Sequence, residues 1–143
     1  MSSRFAAALS YAQMGIPVFP CVVGGKEPAT AHGFKDRTTD LTQIERWWSQ
    51  ADYNLAIVPE DAGWCVIDID PKNGGFDTWN KHFSDRVPQT YTVRTPSGGL
   101  HLYFKGSLPG SAGKLGRGID TRGRDGYVLV PPSIVNGNEY IRL

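Results

Sequence analysis

Seventeen glycines and ten prolines stand among the 143 residues, and this density of backbone breakers restricts the chain to short elements joined by tight turns. Helical spacing is confined to the first part of the chain and strand patterning dominates after Pro88, which together specify an α+β domain. Phe5, Ala8, Leu9 and Ala12 recur at helical spacing over residues 4–14, and Gly15 followed by Ile16-Pro17 supplies the stop. Residues 17–23 read as a strand that runs into turn chemistry at Gly24-Gly25-Lys26-Glu27-Pro28. Capping oxygens on Thr39, Asp40 and Thr42 precede a second helix through Gln43-Ile44-Glu45-Arg46-Trp47-Trp48. Strands are expected at 54–58 and 64–70, a third helix from Gly74-Gly75 through Phe83, and further strands near 90–94, 100–105, 118–121, 127–130 and 139–142.

The length suits one domain over 1–143 with a single core. A net charge of +1 provides no global field toward nucleic acid or membrane, so affinity for either must come from a local patch. The longest apolar runs fall far short of the roughly 20 residues that span a bilayer, which excludes a transmembrane helix. Residues 1–13 contain Arg4 as their one basic residue and no long apolar stretch of a secretory signal, so the expected compartment is cytoplasmic. Cys21 and Cys65 lie in apolar segments, form neither a CxxC pair nor a disulfide framework, and read as buried thiols.

Trp64-Cys65-Val66-Ile67-Asp68-Ile69-Asp70 is an apolar strand that ends in two acids one residue apart. Alternation puts both carboxylates on one face, with Cα atoms roughly 6.6 Å apart, a span that suits a pair of divalent ions about 3.5–4 Å apart. Oxygen ligands of this kind select Mg²⁺ or Mn²⁺. About 0.7 such triplets arise by chance at this Asp content, so the weight rests on context: two like charges closing an apolar strand repel each other unless a cation offsets them.

Two further segments carry polar chemistry. Thr95-Pro96-Ser97-Gly98-Gly99 is a turn whose backbone N–H groups suit phosphate, and in the strand that follows His101 and Tyr103 share a face opposite Leu100, Leu102 and Phe104, aiming His101 away from the core. The bland alternative is a hairpin turn with a hydrogen-bonded surface histidine. Between residues 105 and 124 the bases Lys105, Lys114, Arg117, Arg122 and Arg124 face the single acid Asp120, a local balance of +4. Gly-spaced arginines suit phosphate contact, and they equally suit a solvated turn with Asp120 as their ion-pair partner. Trp47 and Trp48 fall in an amphipathic helix and read as core packing, while Lys26, Lys35 and Arg37 are secondary candidates for nucleic-acid contact.

Taken in order, these segments resemble the primase-polymerase (Prim-Pol) domain of the archaeo-eukaryotic primase superfamily, found in replication proteins of phages and plasmids. The resemblance is carried by Tyr11-Ala12 with Gly15-Ile16-Pro17-Val18-Phe19-Pro20, by Lys26, Pro28 and Gly33-Phe34-Lys35-Asp36, and by Thr38-Thr39-Asp40 and Trp47-Trp48. It continues through Val66-Ile67-Asp68-Ile69-Asp70, Lys72, Gly74-Gly75, residues 95–103, Gly118-Ile119-Asp120-Thr121-Arg122-Gly123 and Tyr127-Val128-Leu129-Val130-Pro131-Pro132-Ser133. The family's hydrophobic-Asp-hydrophobic-Asp motif falls on Asp68 and Asp70, its small-x-His motif on Gly99-Leu100-His101, and its hydrophobic-Asp motif on Ile119-Asp120.

The resemblance implies an RRM-like catalytic β-sheet joined to an N-terminal αβ module. It implies that Asp68, Asp70 and Asp120 hold two Mg²⁺ or Mn²⁺ ions. Ser97, Gly98, Gly99 and His101 would contact the incoming nucleotide, with Arg122 and Lys72 as auxiliary bases, and Lys114, Arg117 and Arg124 would hold the template or primer backbone. Three carboxylates bring about −3 and two divalent ions +4, so metal and nucleotide binding are expected to be coupled. No structural zinc is expected, because two cysteines with His32, His82 and His101 lack the spacing of a zinc site. The implied activity is that of a DNA primase/polymerase, transferring nucleotides from dNTP or NTP to a primer 3′-hydroxyl on a single-stranded DNA template. Downstream helical and helicase domains of a longer replication protein are the expected partners, with no membrane association, and extension of a primer is expected more readily than initiation. Competing readings are an inert nucleic-acid-binding module and a metal-dependent nuclease or phosphohydrolase, which use paired acids for other ends.

Overall fold

The computed structural model describes residues 2–143. Three helices, a three-stranded sheet, a six-stranded sheet and a short hairpin form one mixed α/β unit, and the pairings within the sheets are antiparallel.

Helix α1 (Ser3–Gln13) starts where the Ser2 hydroxyl accepts from Phe5 N at 3.1 Å and ends before Gly15, whose φ of 83° suits glycine. Strand β1 (Val18–Cys21) follows, then helix α2 (Leu41–Gln50), whose N-terminus is capped by Asp40 Oδ1 accepting from Thr42 N at 3.0 Å. Ile44 and Trp48 of α2 are buried, as the amphipathic pattern required, and Trp47 packs against the same core. Strand β2 (Asn54–Ile57) pairs with β1. All four residues of each strand are buried, since both faces are covered, and Pro20 is tolerated because β1 is an edge strand.

Strand β3 (Trp64–Ile69) leads through a 3₁₀ turn at Pro71–Asn73 into helix α3 (Gly75–His82). After it come β4 (Thr92–Arg94), β5 (Leu100–Lys105), β6 (Ser111–Ala112), β7 (Ile119–Arg122), β8 (Val128–Leu129), β9 (Ile134–Val135), β10 (Asn138–Glu139) and β11 (Ile141–Arg142). The large sheet runs β11-β4-β5-β3-β7-β6, which places β3 in its interior between β5 and β7.

Three differences from the sequence reading have physical causes. The first sheet is completed by β8, from late in the chain, so the αβ module is not made from N-terminal residues alone. Residues 139–142 are broken into β10 and β11 around buried Tyr140, and β6 and β9 are two-residue pairings too short for periodicity to reveal. Finally, β5 is buried on both faces: His101 and Tyr103, expected to point away from the core, are each 6% exposed, beside Leu102 at 8%. Val66, Tyr103 and Tyr140 share one core with α1, α2 and the smaller sheet, so the face that carries His101 is itself covered. Cys21 and Cys65 are free and buried, as expected.

Candidate active site

The strand register builds the site. Asp68 on β3 lies opposite His101 on β5 and opposite Asp120 on β7, so three functional side chains form one row across three adjacent strands. Asp70 follows two residues on, where β3 ends and the 3₁₀ turn begins. Its Oδ1 accepts from Lys72 N at 2.9 Å and its Oδ2 from Asn73 Nδ2 at 2.7 Å, which fixes the turn and the carboxylate together.

A cavity of about 250 Å³ opens over this row and is lined by Asp68, Asp70, Asp120, His101, Ser97, Thr95, Lys26, Lys72, Arg122 and Tyr140. It adjoins a second cavity of about 390 Å³ that shares Lys26, Asp68, His101, Arg122 and Tyr140 and adds the apolar walls of Phe34, Tyr127, Val128 and Leu129. Arg122 Nη2 stands 3.7 Å from Asp68 Oδ2 and 3.8 Å from Asp120 Oδ2, placing one cation between two carboxylates. His101 Nε2 stands 3.7 Å from Asp68 Oδ1, just beyond hydrogen-bond distance. Burial pushes the Asp68 carboxyl up, but His101, Arg122 and Lys26 outweigh it and hold the group below the ordinary carboxylate range. Asp120 Oδ1 also accepts from Gly113 N at 3.0 Å. Tyr140 packs its ring 5.9 Å from the His101 ring, and burial, reinforced by the Asp68 charge, pushes its phenol well up, so it stays neutral.

The sequence-derived residues divide cleanly. Asp68, Asp70, His101, Asp120, Ser97, Lys72 and Arg122 all line the 250 Å³ cavity. Gly98 and Gly99 do not, and their N–H groups, expected to be free, are spent inside the turn: Gly98 N donates to Thr95 O at 2.9 Å and Gly99 N to Thr95 Oγ1 at 3.1 Å. Gly99 permits close approach, because a Cβ there would meet Ile69 O at 2.3 Å, while Gly98 is required only by its φ of 89°. Lys114, Arg117 and Arg124 are exposed and line neither cavity over Asp68. Of the secondary candidates only Lys26 reaches the site; Arg37 is held by Asp61, with Nη2 3.1 Å from Oδ1. Tyr140 went unnoticed in the sequence, since it sits in no charged or periodic pattern, and Thr95 was read only as part of the turn.

Lys26, Lys72 and Arg122 alter the expected charge balance, for they set three bases against the three acids in one cavity. The site is therefore balanced rather than strongly negative. Among the described residues no three His, Cys, Asp or Glu side chains converge closely enough to cage one ion. The donors still fit Mg²⁺ or Mn²⁺ bound as these ions usually are in nucleotide enzymes, by one or two carboxylates with substrate phosphates completing the shell. Asp68 and Asp120 supply adjacent carboxylates, and each Asp70 oxygen keeps a second lone-pair direction. One ring nitrogen of His101, Nδ1, is buried without a hydrogen-bond partner among the described residues, as befits a site that a ligand completes.

The chain is thus a mixed α/β domain whose carboxylates and bases converge on one sheet face. More narrowly, residues 8–143 match the family described as bifunctional DNA primase/polymerase, N-terminal, and the chain belongs to this Prim-Pol family. Among curated proteins no relative matches the chain. Membership implies primase/polymerase-type nucleotidyl transfer at the family level. No helix among the described residues is long and apolar enough to cross a membrane.

Proposed function

We propose that the chain catalyses template-directed nucleotidyl transfer from dNTP or NTP to a primer 3′-hydroxyl in DNA replication, with the six-stranded sheet serving as the RRM-like catalytic sheet of its family. The observation that carries this reading is the row His101, Asp68, Asp120 at a cavity that also receives Lys26, Lys72 and Arg122. The acids and bases cancel, so a triphosphate of about −4 needs further positive charge to enter. Two divalent ions held by Asp68, Asp70 and Asp120 would supply it, neutralising the triphosphate and activating the 3′-hydroxyl.

The chain's own residues bind and orient. Lys26, Lys72 and Arg122 pair with phosphate oxygens, and Ser97 and His101 meet others. The adjoining cavity of about 390 Å³, walled by Phe34, Tyr127, Val128 and Leu129, accepts the sugar and base. The exposed Lys114, Arg117 and Arg124 hold template or primer phosphates outside the cleft.

The test is extension of a labelled primer on a DNA template with Mg²⁺ or Mn²⁺, comparing the chain with an Asp68→Ala, Asp70→Ala double variant. Metal-dependent extension that is lost in the variant upholds the proposal. Shortening of the primer points to a nuclease, and template binding without turnover points to an inert binding module; either result overturns it.

A further inference from the structure

One buried amide links the smaller sheet to the cleft over Asp68. Asn54, the first residue of β2, is 1% exposed, and its side chain bonds to two segments outside β2. Its Nδ2 donates to Gly25 O at 2.9 Å and to Ile134 O at 2.7 Å, and its Oδ1 accepts from Ile134 N at 2.9 Å. A single orientation of the amide makes all three bonds, and both of its donors are used.

Gly25 precedes Lys26, which lines both cavities over Asp68. The carbonyls on either side are held as well: Gly24 O accepts from Asn136 N at 3.3 Å, and Lys26 O accepts from the Tyr127 hydroxyl at 3.1 Å. Three consecutive carbonyls are thus each fixed by a donor from a different, distant part of the chain. A Gly-Gly loop has little conformational preference of its own, and Lys26 is exposed with a long side chain. Left free, such a lysine would meet an anion only after loop and side chain had both been ordered. The second arm of Asn54 leads to the same cleft, since Ile134 follows Ser133, whose carbonyl accepts from Tyr140 N at 2.9 Å.

We infer that Asn54 and Tyr127 are positioning residues for nucleotide binding, clamping the Gly24-Gly25-Lys26 backbone so that the Lys26 amine is held ready for a triphosphate oxygen. The inference rests on the reading of this cleft as a nucleotide site and adds the two groups that keep one of its bases in place. Neither group touches the triphosphate through the clamp itself, so each acts through Lys26.

The test is the affinity for dATP with Mg²⁺, without template, measured by calorimetry in the Tyr127→Phe and Asn54→Ser variants, each with and without Lys26→Met. Tyr127→Phe keeps the ring that meets Phe19 edge-on at 5.2 Å and removes the donor to Lys26 O. Each clamp variant is expected to weaken dATP binding about three- to tenfold, the effect of one hydrogen bond, and to speed amide hydrogen exchange over residues 22–27. Lys26→Met alone is expected to weaken it about tenfold or more, and in that background neither clamp variant should weaken it further. Each variant decides for its own residue. Asn54→Ser leaves a gap in the core; where it does not fold, the Asn54 side-chain NH₂ signals of the unsubstituted chain decide by NMR. They are expected to move at dATP saturation and to stay in place in Lys26→Met, and signals that do not move overturn the role of Asn54. Unchanged dATP affinity, or the same loss with and without the Lys26 amine, overturns the clamp. A chain that binds no dATP at all overturns the nucleotide reading and the clamp with it, whereas a Lys26→Met loss that neither clamp variant shares overturns the clamp alone.

Discussion

Asp68 and Asp120 face each other directly across the β3–β7 pairing, two like charges in a cross-strand position that ordinarily weakens a sheet, and Arg122 reaches both. Under the proposed function, the sheet tolerates this repulsion where the chemistry needs it.

Asp120→Asn is therefore expected to raise stability by up to about 1 kcal/mol in metal-free buffer, as relief of an opposed pair does. The same change is expected to lower primer extension by about 100-fold or more, since a proposed cation ligand is lost. Thermal unfolding with and without Mg²⁺, alongside extension rates, checks both halves; a less stable, fully active variant would contradict them.

Alkaline pH probes the core. Burial, with Glu27 nearby, pushes the Cys21 thiol up to about 12, and burial raises Tyr11, Tyr103 and Tyr140 in the same direction. A raised folded-state value means stability that is complete below the unfolded thiol's value and is lost as pH climbs toward the folded one. For Cys21, which is fully buried, the expected loss by pH 10.5 is about 2 kcal/mol. Denaturant midpoints at pH 8 and 10.5 measure it, and Cys21→Ala should flatten the slope. At pH 8 neither thiol should react quickly with a thiol reagent until the chain unfolds.

The exposed bases outside the cleft predict a separable effect. Replacing Lys114, Arg117 and Arg124 with Gln should leave nucleotide affinity near its original value while weakening template binding. Three lost phosphate contacts reduce the slope of log affinity against log salt by about 2 for a single strand. Template titrations across a salt series decide it, and an unchanged slope would remove these residues from the interface.

The turn behind Ser97 gives a contrast between neighbours. A Cβ on Gly99 would run into the Ile69 carbonyl, part of the backbone of β3, whereas a Cβ on Gly98 meets open space and only the strain of φ +89°. Gly99→Ala is expected to cost about 3 kcal/mol and Gly98→Ala about 1 kcal/mol. Guanidine unfolding of the two variants tests the order.

The helices and β3 were legible in the sequence because each carries its own local signature: a capping oxygen at Ser2 or Asp40, a periodic apolar face, or an unbroken apolar run. The acids of β3 could be read as sharing a face, but their placement beside His101 and Asp120 depends on which strands flank β3, and only the family resemblance supplied that. Alternation showed which residues accompany His101 on β5, not that the face would be covered. Tyr140 escaped, and Lys26 stood only as a secondary candidate, because both reach the site from distant loops, where no spacing rule operates. The Gly98-Gly99 turn was located correctly by composition, while the destination of its N–H groups became visible only with Thr95 in place.

The completion of the first sheet by β8 has a consequence for synthesis. A nascent chain that has emerged only as far as residue 120 holds β1 and β2 with one flank open, and lacks Tyr140 against His101. Neither the smaller sheet nor the wall of the cleft over Asp68 can close until roughly the last fifteen residues of this segment leave the ribosome, and the pairing of β2 with β8 spans a long loop whose closure slows folding. Until then the acids of β3 belong to an unfinished surface, and a chain cut short within this region lacks both the third strand of the smaller sheet and the Tyr140 wall.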